Sequence, residues 1–253
     1  MNALTVCVNY HDYLALTLPL NRRHFRRFLV VTSPEDNQTA HLAAQWNCDL
    51  HVTDAFTRGG ADFNKWLALE EGLDVLGRQG VLCLLDADTV LPPELRVEHH
   101  SHGVTLNETA VLRGMLLTPL RHMMLDATKP IPPYNEWDQY KLHGNQGEWA
   151  GYCQIFHADD PVLGDPPWHE TNWRHAGGAD SLFQRKWPRD RKIRPHWKVL
   201  HLGPAGTNWC GRRSPYLEGG TPEQAAERRQ QMELYMRQRR RALGQDPFAA
   251  EKL

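Results

Sequence analysis

Short apolar runs alternate with longer amphipathic stretches over the first ninety residues. Residues 4–8, 28–32 and 49–53 are brief apolar segments that end in polar or turn-forming residues, as strands do. Residues 14–27 and 39–46 lie between them as helix candidates, with Pro19 leaving the start of the first uncertain. Apolar side chains then recur at 63, 66, 67, 69, 73 and 76, a 3.6-residue period that predicts an amphipathic helix over 63–76. Residues 81–85, VLCLL, are apolar without a helical period and run straight into Asp86-Ala87-Asp88, with Pro92-Pro93 beyond. That pattern predicts a strand buried on both faces. Strands alternating with helices imply an α/β fold with a doubly wound, mainly parallel sheet and helices on both faces. Ligands bind such a sheet at the carboxyl ends of its strands, which is where Asp86 and Asp88 would stand.

The pattern is less regular afterwards. Residues 94–147 carry Pro119, Pro130, Pro132 and Pro133 and read as irregular; His99, His100 and His102 within them read as a solvated loop. Residues 147–156 end in strand-like alternation. Gly177-Gly178-Ala179-Asp180-Ser181-Leu182-Phe183 reads as a glycine turn opening a helix, and residues 199–202, VLHL, as a short late strand carrying His201. Residues 221–243 predict a basic C-terminal helix, with Thr221 as N-cap, Pro222 at the first helical position and Gln224 completing a capping box.

At 253 residues the chain suffices for one large α/β domain with an appendage. The division expected is a catalytic domain over 1–213, with a donor half to about residue 93 and an acceptor half from about 94, then a helical appendage over 214–253. Five widely spaced cysteines with no C-x-x-C indicate neither a disulfide framework nor a zinc site, which suits a reducing, cytoplasmic setting. No segment has the order of a signal peptide or the length of a membrane span, so no membrane partner is expected. Charge is uneven: residues 1–173 hold 12 Lys and Arg against 22 Asp and Glu, and residues 174–253 hold 17 against 8. Seven of the nine tryptophans lie between Trp137 and Trp209. A basic, tryptophan-rich C-terminal third offers phosphate contacts and stacking surfaces, so DNA is one possible acceptor. Neither G-x-G-x-x-G nor G-x-x-x-x-G-K-[ST] occurs, which leaves out the dinucleotide fingerprint and the P-loop.

Two aspartates flanking one residue at a strand end suit Mn²⁺ or Mg²⁺ shared with a diphosphate, since these ions take few protein ligands and fill the rest from phosphate and water. Alone, Asp-x-Asp is more often a solvated turn after a core strand. The order of features, however, resembles the GT-A glycosyltransferases, in particular family-2-like members, a group that includes phage-type enzymes acting on hydroxymethylpyrimidines in DNA. The features are Asn9-Tyr10 after the first strand, Thr32 to Asp36 after the second, Asn64-Lys65 on a helix, the Asp86-Ala87-Asp88 motif, Gly178-x-Asp180 and His201 with Gly203.

The resemblance implies a metal-dependent transfer of a sugar from a nucleotide-sugar, UDP-linked by expectation, to an acceptor hydroxyl with inversion. It assigns Asn9, Tyr10, Thr32, Asp36, Asn64, Lys65, Asp86 and Ala87 to the donor. Asp88 and His201, with Asp86 beside them, would hold the metal. Asp180 would be the general base, and Trp149, Gly151, Gln154, Gly178, Asn208 and Trp209 would face the acceptor. The chain departs from many members in having Ala179 rather than an acidic residue before Asp180. Two rivals remain at this level: a metal-dependent nucleotidyltransferase, and a non-enzymatic nucleic-acid-binding protein using the basic helix. Against the first, the place of a glycine-rich phosphate loop is taken by Asn9-Tyr10-His11-Asp12. Against the second, no nucleic-acid reader motif is present.

Overall fold

The computed structural model describes residues 1–99, 102–105, 113–143, 149, 151–203 and 211–212. The basic helix expected over 221–243 and the acceptor residues Asn208 and Trp209 lie outside them. The N-terminal half follows the expected alternation: β1 (Asn2–Val6), α1 (His11–Asn21), β2 (Arg27–Thr32), α2 (Asn37–Gln45), β3 (Asp49–Val52), α3 (Lys65–Leu76) and β4 (Val81–Leu85). Helix α1 begins three residues before the expected start, with Asp12 in its first turn, where a carboxylate suits the helix dipole. Pro19 lies inside it rather than at its start. Lacking an N–H for the carbonyl four residues back, Pro19 weakens the last turn, and the chain passes into a 3₁₀ turn at Arg22–His24.

Strands β1, β2, β3 and β4 are mutually parallel, in the order β4-β1-β2-β3. Alternate side chains sort into two cores. Ala3, Phe28, Val30, Cys83 and Leu85 pack with Leu14 and Leu18 of α1 and Ala43 of α2. Leu4, Leu29, Val31, Leu82 and Leu84 pack on the other face with Trp66, Leu69, Leu73 and Leu76 of α3. The unbroken apolar run of β4 thus serves both faces, as a doubly wound sheet requires. Gly72 of α3 lies so close to the sheet that a Cβ there would stand 2.6 Å from Val31 and 2.7 Å from Leu4.

The second half is more ordered than its sequence suggests. Within residues 94–147 the chain forms a hairpin of β6 (Arg96–His99) and β7 (His102–Thr105), then β8 (Leu116–Leu117), β9 (Leu120–Met124) and β10 (Lys141–His143). β11 (Cys153–His157) enters the main sheet antiparallel to β4 and beside β8, and β12 (Lys192–Ile193) completes it, so the sheet is mixed but mainly parallel. A separate sheet has the order β10-β9-β13-β5, where β5 is Thr89–Val90 and β13 is Lys198–Leu202. Asp86-Ala87-Asp88 is therefore the link between the end of β4 in one sheet and β5 in the other. Among the described residues no helix is long and apolar enough to cross a membrane.

One buried polar cluster ties the segment before the helix α4 (Ala179–Phe183) to α3. The Glu70 carboxylate accepts from the backbone N–H groups of Trp168 (3.0 Å) and His169 (2.9 Å), from Arg78 Nη2 (2.8 Å) and from His169 Nδ1 (2.5 Å). The His169 ring lies between Trp66 and Phe183, 5.3 and 4.0 Å away. Burial, outweighing the opposing pull of Glu70, holds the imidazole below its ordinary 6.5. Burial by itself would raise Glu70, but His169, Arg78 and the Trp168 N–H hold it below its ordinary 4.5. In both cases the unfolded chain binds the proton more readily, so stability is present at neutral pH and falls as pH drops, first below about 6.5 and again below about 4.5. Glu70→Gln places an amide N–H against donors and is expected to cost about 1–3 kcal/mol at neutral pH. It should also flatten the step below pH 4.5, a result checked by urea unfolding across pH.

Candidate active site

The link between the sheets is held from α1. Thr17 Oγ1 donates to the Ala87 carbonyl (2.7 Å), Asn21 Nδ2 donates to the Thr89 carbonyl (2.7 Å), and the Leu91 N–H donates to Asn21 Oδ1 (2.8 Å). Thr17 and Asn21 lie one helical turn apart on one face, and both are buried. Sequence reasoning passed over them, although two polar residues four apart in a largely apolar helix are a legible signal. β13 closes the other side: His201 is in register with Thr89, and the Leu202 N–H donates to the Asp88 carbonyl (2.8 Å).

This pairing brings Asp88 and His201 together, with Nε2 3.5 Å from Oδ2. Tyr10 Oη donates to the same Oδ2 at 3.2 Å, whereas Asp88 Oδ1 is buried without a partner. Burial, with the charge of Asp86 behind it, raises the Asp88 carboxyl against the opposing influence of His201. Burial lowers the His201 imidazole, with Asp88 opposing. A buried carboxylate with one oxygen, Oδ1, lacking a donor and the other beside an imidazole kept neutral offers a hard oxygen and a nitrogen ligand that fit Mn²⁺ or Mg²⁺. Among the described residues no three His, Cys, Asp or Glu side chains converge as a metal-binding group. Phosphate or water would complete the coordination.

Asp86 turns the other way. Lys65 Nζ, at the start of α3, donates to Asp86 Oδ1 at 2.5 Å. Burial alone would lower the Lys65 ammonium, but Asp86, with Asp180 and Asp88 beyond it, holds it above the ordinary lysine value. Asn64 is the N-cap of α3, accepting from the Leu67 N–H (3.1 Å) while its Nδ2 donates to the Thr171 carbonyl (2.7 Å). The segment leading to α4 is thereby fastened to the helix that carries Lys65.

Asp180 lies in the first turn of α4, whose N-cap is Gly178 with no side-chain cap. Its Oδ2 instead accepts from the Gly151 N–H at 2.8 Å. Both glycines are required by close approach. A Cβ on Gly151 would stand 2.4 Å from Asp180 Cβ, and one on Gly178, where φ is +103°, would stand 2.9 Å from the Trp173 ring. The space was expected to serve a substrate; it is filled by Asp180 and Trp173. The Asp86 N–H donates to the Tyr152 carbonyl (2.9 Å), which fixes Gly151 beside the Asp-x-Asp link.

The other expected donor residues are largely internal. Asp36 caps α2 and collects the Asn9 N–H (2.6 Å), Thr32 Oγ1 (3.3 Å), Thr39 Oγ1 (2.6 Å) and the Thr39 N–H (3.0 Å). Thr32, Asp36 and Ala87 are buried, so they shape the loops after β2 and β4. Asn9, at φ +53°, donates through Nδ2 to the Arg212 carbonyl (2.9 Å). Tyr10 stacks on Tyr13 (4.5 Å) and lies under the Arg212 guanidinium (4.5 Å), which also grips Asp12 through two bonds of 2.8 and 2.9 Å. That Asp12–Arg212 clasp was not foreseen, because 200 residues separate its partners. On the acceptor side, Trp149 is half-buried beneath Arg194, 4.2 Å from its ring. Gln154 is 1 % exposed on the α3 side of β11.

No protein-family model matches the chain, and no curated protein sequence matches it. Among solved structures it is similar to glucosyl-3-phosphoglycerate synthase from Mycobacterium tuberculosis in complex with Mn²⁺, UDP and glucosyl-3-phosphoglycerate. That likeness has 11 % identity and a TM-score of 0.45 over 91 % of this chain and 76 % of that one. It is also similar to the inositol-1-phosphate CTP transferase from T. maritima, at 9 % identity and a TM-score of 0.45 over 90 % and 95 % of the two chains. Mannosyl-3-phosphoglycerate synthase from Rubrobacter xylanophilus aligns at 19 % identity and a TM-score of 0.33 over 50 % and 41 %. Likeness of this degree goes no further than the general course of the chain.

Proposed function

We propose that this protein is a metal-dependent glycosyltransferase of GT-A type that moves a sugar from a nucleotide-sugar to an acceptor hydroxyl with inversion. The observation that carries this reading is the meeting of Asp88 Oδ2 and His201, from the two sides of one strand-to-strand link, on a carboxylate whose other oxygen, Oδ1, is buried with no protein partner. Asp88 and His201 would hold Mn²⁺ or Mg²⁺, which when bound supplies positive charge to the departing diphosphate. Lys65 orients Asp86 through its ion pair at the rim of the same site, within reach of the donor's ribose. Asp180, held by the Gly151 N–H, takes the proton of the acceptor hydroxyl as its oxygen bonds to the anomeric carbon. The bond from that carbon to the diphosphate oxygen breaks, and the nucleoside diphosphate leaves with the electron pair. Asn9 and Tyr10 stand at the strand ends where the nucleoside is expected.

The donor's base is read by thermal shift with UDP, GDP and CDP, each with and without Mn²⁺. One nucleotide, UDP by expectation, should raise the melting temperature only when Mn²⁺ is present, by the mass-action stabilisation of a ligand that binds only the folded chain. No shift with any of them would overturn the reading. A nucleotidyltransferase would instead release pyrophosphate from CTP or UTP, so the same protein assayed for pyrophosphate separates the two activities. For the acceptor, a saccharide and a hydroxymethylpyrimidine in DNA are distinguished by a gel shift at low salt; absence of duplex binding removes DNA.

A further inference from the structure

We propose, building on the transferase reading above, that the acceptor is a small hydroxyl compound carrying a phosphate or carboxylate, and that Arg121 receives that anionic group. Arg121 lies on β9, which runs parallel to β13 with Arg121 opposite Val199 and Met123 opposite His201. The two-residue period of a strand puts Arg121 on the same face as His201. Its guanidinium lies over the Tyr152 ring at 4.4 Å. Tyr152 in turn joins both halves of the candidate site, since its carbonyl accepts from the Asp86 N–H and the preceding residue, Gly151, donates to Asp180.

Arg121 Nε is buried without a hydrogen-bond partner, and among the described residues no carboxylate forms an ion pair with Arg121. The acids of the candidate site are engaged elsewhere: Asp86 with Lys65, Asp88 through Oδ2 with Tyr10 and His201, and Asp180 with Gly151. A second guanidinium, Arg194, is fixed by bonds to the carbonyls of Thr118 (3.0 Å) and Pro119 (3.1 Å), and the Tyr152 hydroxyl donates to that same Pro119 carbonyl. Arg194 adds positive field without neutralising Arg121. A partly buried cation with no counter-ion is costly, and the cost is offset when an anion arrives. Stacked on an aromatic face, a guanidinium keeps its planar N–H edge for two parallel bonds to a carboxylate or phosphate. A neutral sugar hydroxyl cannot supply that charge.

The test uses the full chain with Mn²⁺ and saturating nucleoside diphosphate, so that the donor's phosphate site is filled. Calorimetric binding is compared within two matched pairs, glycerol 1-phosphate against glycerol and lactate against lactamide. The anionic member of at least one pair should bind tenfold or more tighter, and which pair responds separates phosphate from carboxylate. Arg121→Gln should remove the preference while leaving the nucleotide-dependent thermal shift intact, and Arg121→Lys should keep part of it. Equal binding of charged and neutral members, survival of the preference in Arg121→Gln, or binding of a duplex oligonucleotide with none of the small anions overturns the inference. A wild-type chain with no nucleotide shift overturns the transferase reading and this inference with it.

Discussion

Replacing Asp88 with alanine is expected to abolish metal-dependent nucleotide binding and to lower transfer by about a thousandfold, the several kcal/mol that an ion contributes to a departing diphosphate. The same substitution should leave the melting temperature of the ligand-free protein unchanged or raise it. The reason is in the local energetics. Asp88 is buried, one of its oxygens has no donor, and burial already pushes its carboxyl up. Removing such a group relieves its desolvation cost, which offsets the 3.2 Å bond from Tyr10 Oη that is lost with it. The link keeps its shape through Thr17, Asn21 and the Leu202 N–H, which bind backbone atoms of residues 87–91 and not the Asp88 side chain. If Asp88 were only a turn residue, the outcome would be reversed: a lowered melting temperature and an unaltered response to nucleotide with Mn²⁺. Titrating UDP with Mn²⁺ against both proteins, with thermal melts alongside, separates the two.

What could be read from the chain depended on how local the determinant was. The first four parallel strands and the helices between them were legible because a buried parallel strand announces itself as an apolar run and α3 as a 3.6-residue stripe. The strands within 94–147 were not. β8 has two residues, and β9 carries Arg121 and His122, so neither shows a clean period, and their pairing is decided by partners far along the chain. The site divides the same way. Asp86, Asp88, Lys65, Asp180 and His201 stood out as motif residues, and the structure places Lys65 on Asp86 and His201 beside Asp88. Thr32, Asp36 and Gln154 were assigned to ligand contacts by the resemblance alone, and the structure buries all three. Distance along the chain hid Arg212, which meets Tyr10, Tyr13 and Asp12 from the far end of the sequence, and Arg121, which lies over the Tyr152 ring.

Asp180→Asn is the companion substitution, expected to lower the transfer rate by about 10²–10⁴-fold, the share a positioned general base contributes, with little change in thermal stability. Asparagine keeps an oxygen to accept from the Gly151 N–H, so the 2.8 Å bond that orients the side chain survives while its basicity does not. The competing role, helix capping, is answered by the same variant: Gly178 is the N-cap and the Asp180 carboxylate points to Gly151, not to its own helix. Gly151→Ala tests the geometry independently. Its Cβ would fall 2.4 Å from Asp180 Cβ, and in the turn that leads into β11, tied down next door by the Asp86 N–H on the Tyr152 carbonyl, the backbone has little freedom to yield, so α4 must shift and carry the carboxylate with it. Misplacement of a catalytic group by about 1 Å costs about a hundredfold, and Gly151→Ala should therefore lose rate while nucleotide binding with Mn²⁺ persists. Product stereochemistry closes the matter. A base on the acceptor hydroxyl and direct displacement at the anomeric carbon give inversion, and a product that retained the donor's configuration by NMR would remove Asp180 from that role whatever its variants did to the rate.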